Sequence, residues 1–282
     1  MYRLFVLATA VALSVSSASP VSAQTPNEPG PIVSTAWLQQ HLDDPRVHVI
    51  STGDEKIFDR GHIPGARFVE HMETLEGGHH LLTPDTLASL LARAGAADGV
   101  HVVLYGDSPM TTGWVYMALA SVGHADDVSW LDGDINLWRS EQRPVDTKAT
   151  PAASGHLSVK PAPDIVVDRS WVRGHLQASE IRVLDVRSKR EWDDGHLPGA
   201  TLVLWQNLFA DQKTLKFKSI DEIRGLFTSA GVQPKQQIVT YCAVGMRASL
   251  MYWAARAAGL PARVYLGSYQ DWQQDSTDPI VR

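Results

Sequence analysis

A chain of 282 residues, 44% of them hydrophobic, is long enough to bury two cores of ordinary size. Its 25 basic and 31 acidic residues give a net charge of -6, which argues against an electrostatic grip on nucleic acid or anionic lipid but leaves room for a local positive pocket. A single cysteine excludes an internal disulfide and a cysteine-cluster metal site.

In chain order, Met1-Tyr2-Arg3 supplies one positive charge, Leu4 to Val15 is an almost unbroken apolar run, and Val21-Ser22-Ala23 ends in small residues. That is the order of a secretory signal, and the run is short for a membrane span. The expectation is a mature protein starting near Gln24, periplasmic or secreted, with no membrane contact after cleavage; an uncleaved anchor is the alternative. Val47 to Ile50 and Val102 to Tyr105 then read as strands. Pro84 to Ala94 and Thr112 to Ser121 read as helices, the second followed by Gly123. Asp146 to Gly155, rich in Thr, Ala, Pro, Ser and Gly, reads as a linker. Beyond it, Val183 to Val186 and Ile238 to Tyr241 read as buried strands. Asp221 to Ser229 and Ala248 to Ala258 read as helices, closed by Gly231 and Gly259. Alternation of this kind predicts an α/β fold, a mainly parallel sheet covered on both faces.

The two halves repeat each other. Val33 to Leu38 recurs as Val167 to Val172, Gly61-His62-Ile63-Pro64-Gly65-Ala66 as Gly195-His196-Leu197-Pro198-Gly199-Ala200, and Gly133 with Trp138 as Gly267 with Trp272, each pair 134 positions apart. The chain is therefore expected to hold a leader (1–23), a first domain (24–146), a linker (147–160) and a second domain (161–282).

Cys242 follows the Ile238 to Tyr241 strand and precedes the Ala248 helix. In a parallel sheet that junction lies at the carboxyl end of a strand, where such folds place ligands. Cys242-Ala243-Val244-Gly245-Met246-Arg247 would be a tight loop whose N–H groups, with the helix N-terminus behind them, form a nest for an anion. Arg247 adds a full positive charge, and together these favour the thiolate and hold an anionic substrate against it. A buried structural cysteine with a surface Arg247 is the alternative.

This loop, the Asp185-Val186-Arg187 strand end and the Gly195 to Ala200 segment together resemble the rhodanese family of sulfurtransferases, in tandem form, with the second copy active and the first not. The resemblance implies that Cys242 takes sulfane sulfur from a donor such as thiosulfate or 3-mercaptopyruvate and passes it from a persulfide to cyanide or a thiol. No cofactor and no metal are needed, and a monomer is expected. Family members often hold the donor anion with an arginine at the position of Arg187; an ion pair with Asp193 or Glu191 is the competing role. Arg247 and the backbone of Ala243, Val244, Gly245 and Met246 would bind the donor. Tyrosine phosphatases use a longer loop between cysteine and arginine, so a phosphatase or arsenate reductase is a weaker reading. A non-enzymatic sulfur carrier or binding module is a third. The loop matches neither the mercaptopyruvate nor the thiosulfate pattern, and its one charged group, Arg247, points to a small dianion such as thiosulfate.

In the first copy Gly106 falls opposite Cys242, Pro109 opposite Gly245 and Thr111 opposite Arg247. Asp107 at the mouth of such a nest would repel an anion and is expected to be structural. His62, His196 and Asp185 are read as braces, and Trp138 and Trp272 as core. Glu70 and His71 loosely match an interdomain acidic position of tandem members. His79-His80 lacks further ligands and is read as a surface loop. The first domain is expected to form one wall of the Cys242 cleft.

Overall fold

A computed structural model describes residues 29–77, 80–152, 155–160, 162 and 165–282. The leader, His79 and part of the linker lie outside the described residues. In the first half the elements run β1 (Ile32–Val33), α1 (Thr35–His41), β2 (Val47–Thr52), α2 (Glu55–Asp59), β3 (Arg67–Val69), a 3₁₀ turn (His71–Thr74), β4 (Leu75–Glu76), β5 (His80–Leu81), α3 (Pro84–Arg93), β6 (His101–Gly106), α4 (Pro109–Ser121), β7 (Val128–Leu131) and α5 (Asp134–Ser140). The second half runs β8 (Val166–Val167), α6 (Arg169–His175), β9 (Ile181–Asp185), α7 (Lys189–Asp194), β10 (Thr201–Leu202), a 3₁₀ turn (Trp205–Leu208), β11 (Phe209–Asp211), β12 (Lys216–Phe217), α8 (Ile220–Ser229), β13 (Gln237–Tyr241), α9 (Met246–Ala257), β14 (Ala262–Tyr265) and α10 (Ser268–Trp272).

Each half builds a five-stranded parallel sheet, ordered β1-β7-β6-β2-β3 and β8-β14-β13-β9-β10. The second order is the first advanced by seven strands, so the sequence repeat is a repeat of topology. The central strands β6 and β13 are buried from end to end apart from their first residues, as a sheet covered on both faces requires.

The repeated histidines brace the turns. His62 Nδ1 contacts Phe58 O at 3.0 Å and its ring stacks on Phe58; His196 Nδ1 contacts Trp192 O at 3.1 Å and its ring stacks on Trp192. Trp138 and Trp272 are fully buried, their indole N–H groups donating to Pro144 O and Pro279 O. The expected linker is tied to the first domain: His62 and Asp146 form a β-bridge, Asp98 N donates to His156 O, and Lys160 N donates to Val122 O.

The halves meet through α4 and α9. Eleven residues of α4 are buried, leaving it no polar face, which marks a helix covered on all sides. Gly113 permits the approach: a Cβ there would lie 2.6 Å from Leu250 Cα. Around it Tyr116 faces Tyr252, and Trp130 packs on Trp253 and Phe217. One apolar cluster runs through both halves and includes Cys242.

Candidate active site

Cys242 leaves the end of β13, and the chain turns through Ala243, Val244 and Gly245 into α9. The carbonyls of Cys242 and Ala243 accept the N–H groups of Tyr269 and Gln270 from α10. With those oxygens turned away, Gly245 N–H donates to Cys242 Sγ at 3.1 Å. Gly245 adopts φ +91°, and a Cβ on it would lie 2.7 Å from Leu266 O and 3.2 Å from Trp114 Cζ3. Both the turn and the space therefore demand glycine here. The first N–H groups of α9, without intrahelical partners, follow directly.

Arg247 stands in the first turn of α9 and is held by Glu191 of α7 through two parallel bonds of 2.8 and 2.7 Å. Glu191 is itself fixed by a capping box with Ser188. The guanidinium holds the Glu191 carboxyl down to about 2. The Arg247 pKa is raised, first by Glu191 and then by Cys242 beside it. Arg247 is thus brought to the sulfur, but as half of an ion pair rather than as a free charge. Ala243, Gly245 and Met246 line the loop, and Val244 stands out at its apex, 51% exposed.

Arg187 is placed elsewhere. Its guanidinium binds Asp185 through Nε and Nη2, donates to Gly195 O at 2.7 Å, and lies 4.0 Å from the centroid of the Tyr269 ring. Its partner is neither Asp193 nor Glu191. At 2% exposure, with Nε and Nη2 engaged by Asp185 and Gly195 O, Arg187 braces the strand end, and only Nη1 is without a hydrogen-bond partner among the described residues. Tyr241 completes that brace, donating to Asp185 Oδ2 at 2.6 Å and accepting from Leu197 N–H.

Ser268 was not anticipated. It lies beyond β14 at φ +56°, fully buried, and its hydroxyl accepts the Cys242 N–H at 3.1 Å while donating to Tyr265 O. The repeat contained a signal for it, since the position after Gly267 matches the position after Gly133. From the first half, Trp114 packs against Gly245 and donates through its indole to Thr74 Oγ1. His71, beside Glu70, meets the Trp114 ring edge-on. The first half therefore does form a wall of the loop. Cys242 is completely shielded from solvent.

Residues 34–141 and 168–275 each match the rhodanese-like domain family. The chain belongs to the rhodanese family. Its relatives include a thiosulfate sulfurtransferase of Azotobacter vinelandii, 27% identical, with 88% of this chain and 96% of the relative covered. Another is the sulfur carrier protein TtuD of Thermus thermophilus, 28% identical, with 90% and 97% covered. Among solved structures, SseA of Escherichia coli, described as a 3-mercaptopyruvate sulfotransferase, superposes with a TM-score of 0.75 at 22% identity, over 86% of this chain and 99% of that one. These support the general class of sulfurtransferase and the tandem rhodanese fold.

In this rhodanese the first copy keeps the frame but has no cysteine at its strand end. Gly106 N–H donates at 2.8 Å to Asp134 Oδ1, as Cys242 N–H does to Ser268. Asp134 is buried, and desolvation pushes its carboxyl up to about 7. Asp107 accepts the Asp54 N–H at 3.0 Å and fills the space beside Gly53, so it is structural there. Among the described residues no group of three or more metal-ligating side chains is assembled, and no helix is long and apolar enough to cross a membrane.

Proposed function

We propose that this rhodanese moves sulfane sulfur from thiosulfate, or from 3-mercaptopyruvate, to cyanide or a thiol through a persulfide on Cys242. The observation that carries this reading is the only cysteine of the chain at a strand end, its sulfur accepting the Gly245 N–H with Arg247 alongside. In the first step the Cys242 thiolate attacks the outer sulfur of thiosulfate. A sulfur–sulfur bond forms to the enzyme, and sulfite leaves with the electron pair of the bond that breaks. In the second, cyanide attacks the terminal sulfur, thiocyanate departs and the thiolate returns. The Gly245 N–H and the first turn of α9 stabilise negative charge on the sulfur that remains. Arg247, shared with Glu191, offers oriented donors to the donor's oxyanion.

The test is direct. Thiosulfate should add one sulfur atom to the intact protein by mass spectrometry, and cyanide should remove it. Cys242→Ser should show neither, and sulfur transfer by that variant would overturn the mechanism. Phosphate release from p-nitrophenyl phosphate without sulfur transfer would instead favour a phosphatase.

The full shielding of Cys242 favours a second reading, a carrier loaded once and unloaded by a partner. Repeated turnover of thiosulfate and cyanide by the purified protein decides against it. The Leu4 to Val15 run with Val21-Ser22-Ala23 supports export. A mature form beginning near Gln24, recovered outside the cytoplasm, is the expected result.

A further inference from the structure

A cavity of about 220 Å³ lies in the first domain, between β3, the carboxyl end of α3 and residues 150–152, and it does not include Cys242. Its walls are of two kinds. The larger share is polar, with two guanidinium groups from Arg67 and Arg93 and one carboxylate from Glu73, and Phe68, Leu90 and Ala94 add a smaller apolar side. Arg67 is anchored through Nε to Pro151 O at 2.8 Å; Nη1 lies toward Gly95, and neither Nη1 nor Nη2 makes a hydrogen bond among the described residues. Arg93 makes only a long contact of 3.5 Å to Ser89 O in its own helix. Neither guanidinium forms an ion pair among the described residues, in a chain where acidic residues outnumber basic ones.

Two unpaired planar donors beside apolar walls suit a particular chemistry. A guanidinium fork matches a carboxylate in two-point contact. A bare inorganic dianion would gain nothing from the apolar sides, and Glu73 would repel its two charges more than the single charge of a carboxylate. An organic anion uses both kinds of wall. The volume falls below the ~300–1,000 Å³ of sites for drug-sized ligands, so the ligand is small. We propose that this cavity is a second binding site, for a small organic carboxylate whose apolar body rests on Phe68, Leu90 and Ala94 and whose charge is held by Arg67 and Arg93. The site is separate from Cys242 and stands whether or not the sulfurtransferase reading holds.

The experiment titrates the isotope-labelled chain with benzoate, and separately with its neutral counterpart benzamide, at ionic strength fixed with sodium chloride. Amide signals of Phe68, Leu90 and Ala94 should shift saturably with benzoate, and benzamide should bind about tenfold more weakly or worse. Arg67→Gln combined with Arg93→Gln should raise the benzoate Kd by about tenfold or more while persulfide loading by thiosulfate is retained. Arg93 is exposed, so Arg93→Gln alone will fold and must by itself weaken benzoate. The proposal is overturned if no saturable shift occurs, if shifts are confined to residues 242–247, if benzamide binds as well as benzoate, or if the variants bind benzoate unchanged.

Discussion

The Cys242 loop and the Gly106 loop are the same piece of architecture furnished with different side chains. Each follows the central strand of a parallel sheet, each leads into a long buried helix, and in each the strand-end N–H is caught by a side chain held at positive φ, +56° at Ser268 and +61° at Asp134. The differences are few. The catcher is a neutral hydroxyl beside Cys242 and an acid beside Gly106. The strand end opposite is the Asp185–Arg187 clamp in one copy and Ser51 with Gly53 in the other. The lesson is that the frame does not make the site. The frame is kept in both copies because α4 and α9 need each other, and the proposed chemistry rests on a handful of side chains set into one of them.

Removing the acid from the silent copy should give the largest effect on stability. Asp134 is pushed up to about 7 from 3.8 by burial. Between those values the folded state binds more protons than the unfolded one, so stability falls as pH rises from about 4 to about 7. Asp134→Asn keeps an oxygen for the Gly106 and Ile135 N–H groups and removes the charge. Above pH 7 the variant should be more stable by up to ~4 kcal/mol, if the whole shift is relieved. Urea midpoints measured from pH 5 to pH 8 should fall for the wild type and stay level for the variant; parallel curves would remove Asp134 as the cause.

Next comes the seam between the copies. Gly113→Leu would drive a side chain into the Leu250 backbone, and such overpacking costs ~1–3 kcal/mol or more. Because Trp114 packs on Gly245, sulfur transfer should fall together with stability. Full activity at reduced stability would show that the silent copy supports the fold without shaping the site.

Much of this was legible in the sequence, for physical reasons that differ by element. The strands and helices announced themselves by buried apolar runs and glycine stops, and the repeat at 134 positions gave the two domains. Cys242 was found because it was alone. The partners of the arginines were not legible. Sequence proximity offered Glu191 to Arg187, but an Asp-x-Arg strand end lets the arginine fold back on Asp185, which freed Glu191 for Arg247, 56 residues away. Ser268 came from the far side of β13, where only the fold brings it to Cys242. The covering of α4 could have been read from its lack of a polar face. The shielding of Cys242 could not, because it comes from residues that only the fold gathers around it, Ser268 among them.

Arg247→Ala should have a smaller effect than the seam variant on stability and a larger one on turnover. It removes charge-assisted donors beside the sulfur, worth ~1–3 kcal/mol of transition-state stabilisation. It also frees Glu191, whose pKa should rise from about 2 toward the ordinary carboxylate range. Arg247→Lys keeps the charge but loses the two-point geometry with Glu191, so its turnover should fall between the two. If Arg247→Ala loaded sulfur from thiosulfate as fast as the wild type, the cradle would owe its function to backbone N–H groups alone.

The smallest expected gain is from giving the silent copy its missing thiol. Gly106→Cys restores the nucleophile at the matching position, yet a Cβ at Gly106 would lie 2.5 Å from Thr52 Oγ1 and 2.6 Å from Thr52 O. The side chain has no room to enter without moving β2. Nor would the thiol find a cradle. Pro109 stands where Gly245 supplies its N–H, Thr111 where Arg247 stands, and Asp134 would set a carboxyl where Ser268 sets a hydroxyl. The added cysteine should therefore carry no persulfide after thiosulfate treatment of a Cys242→Ser, Gly106→Cys double variant, and the protein should be less stable than Cys242→Ser alone. A sulfur atom taken up by that double variant and released to cyanide would mean that the strand end and helix suffice. The contrast between Asp134 and Ser268 would then be incidental to the silence of the first copy.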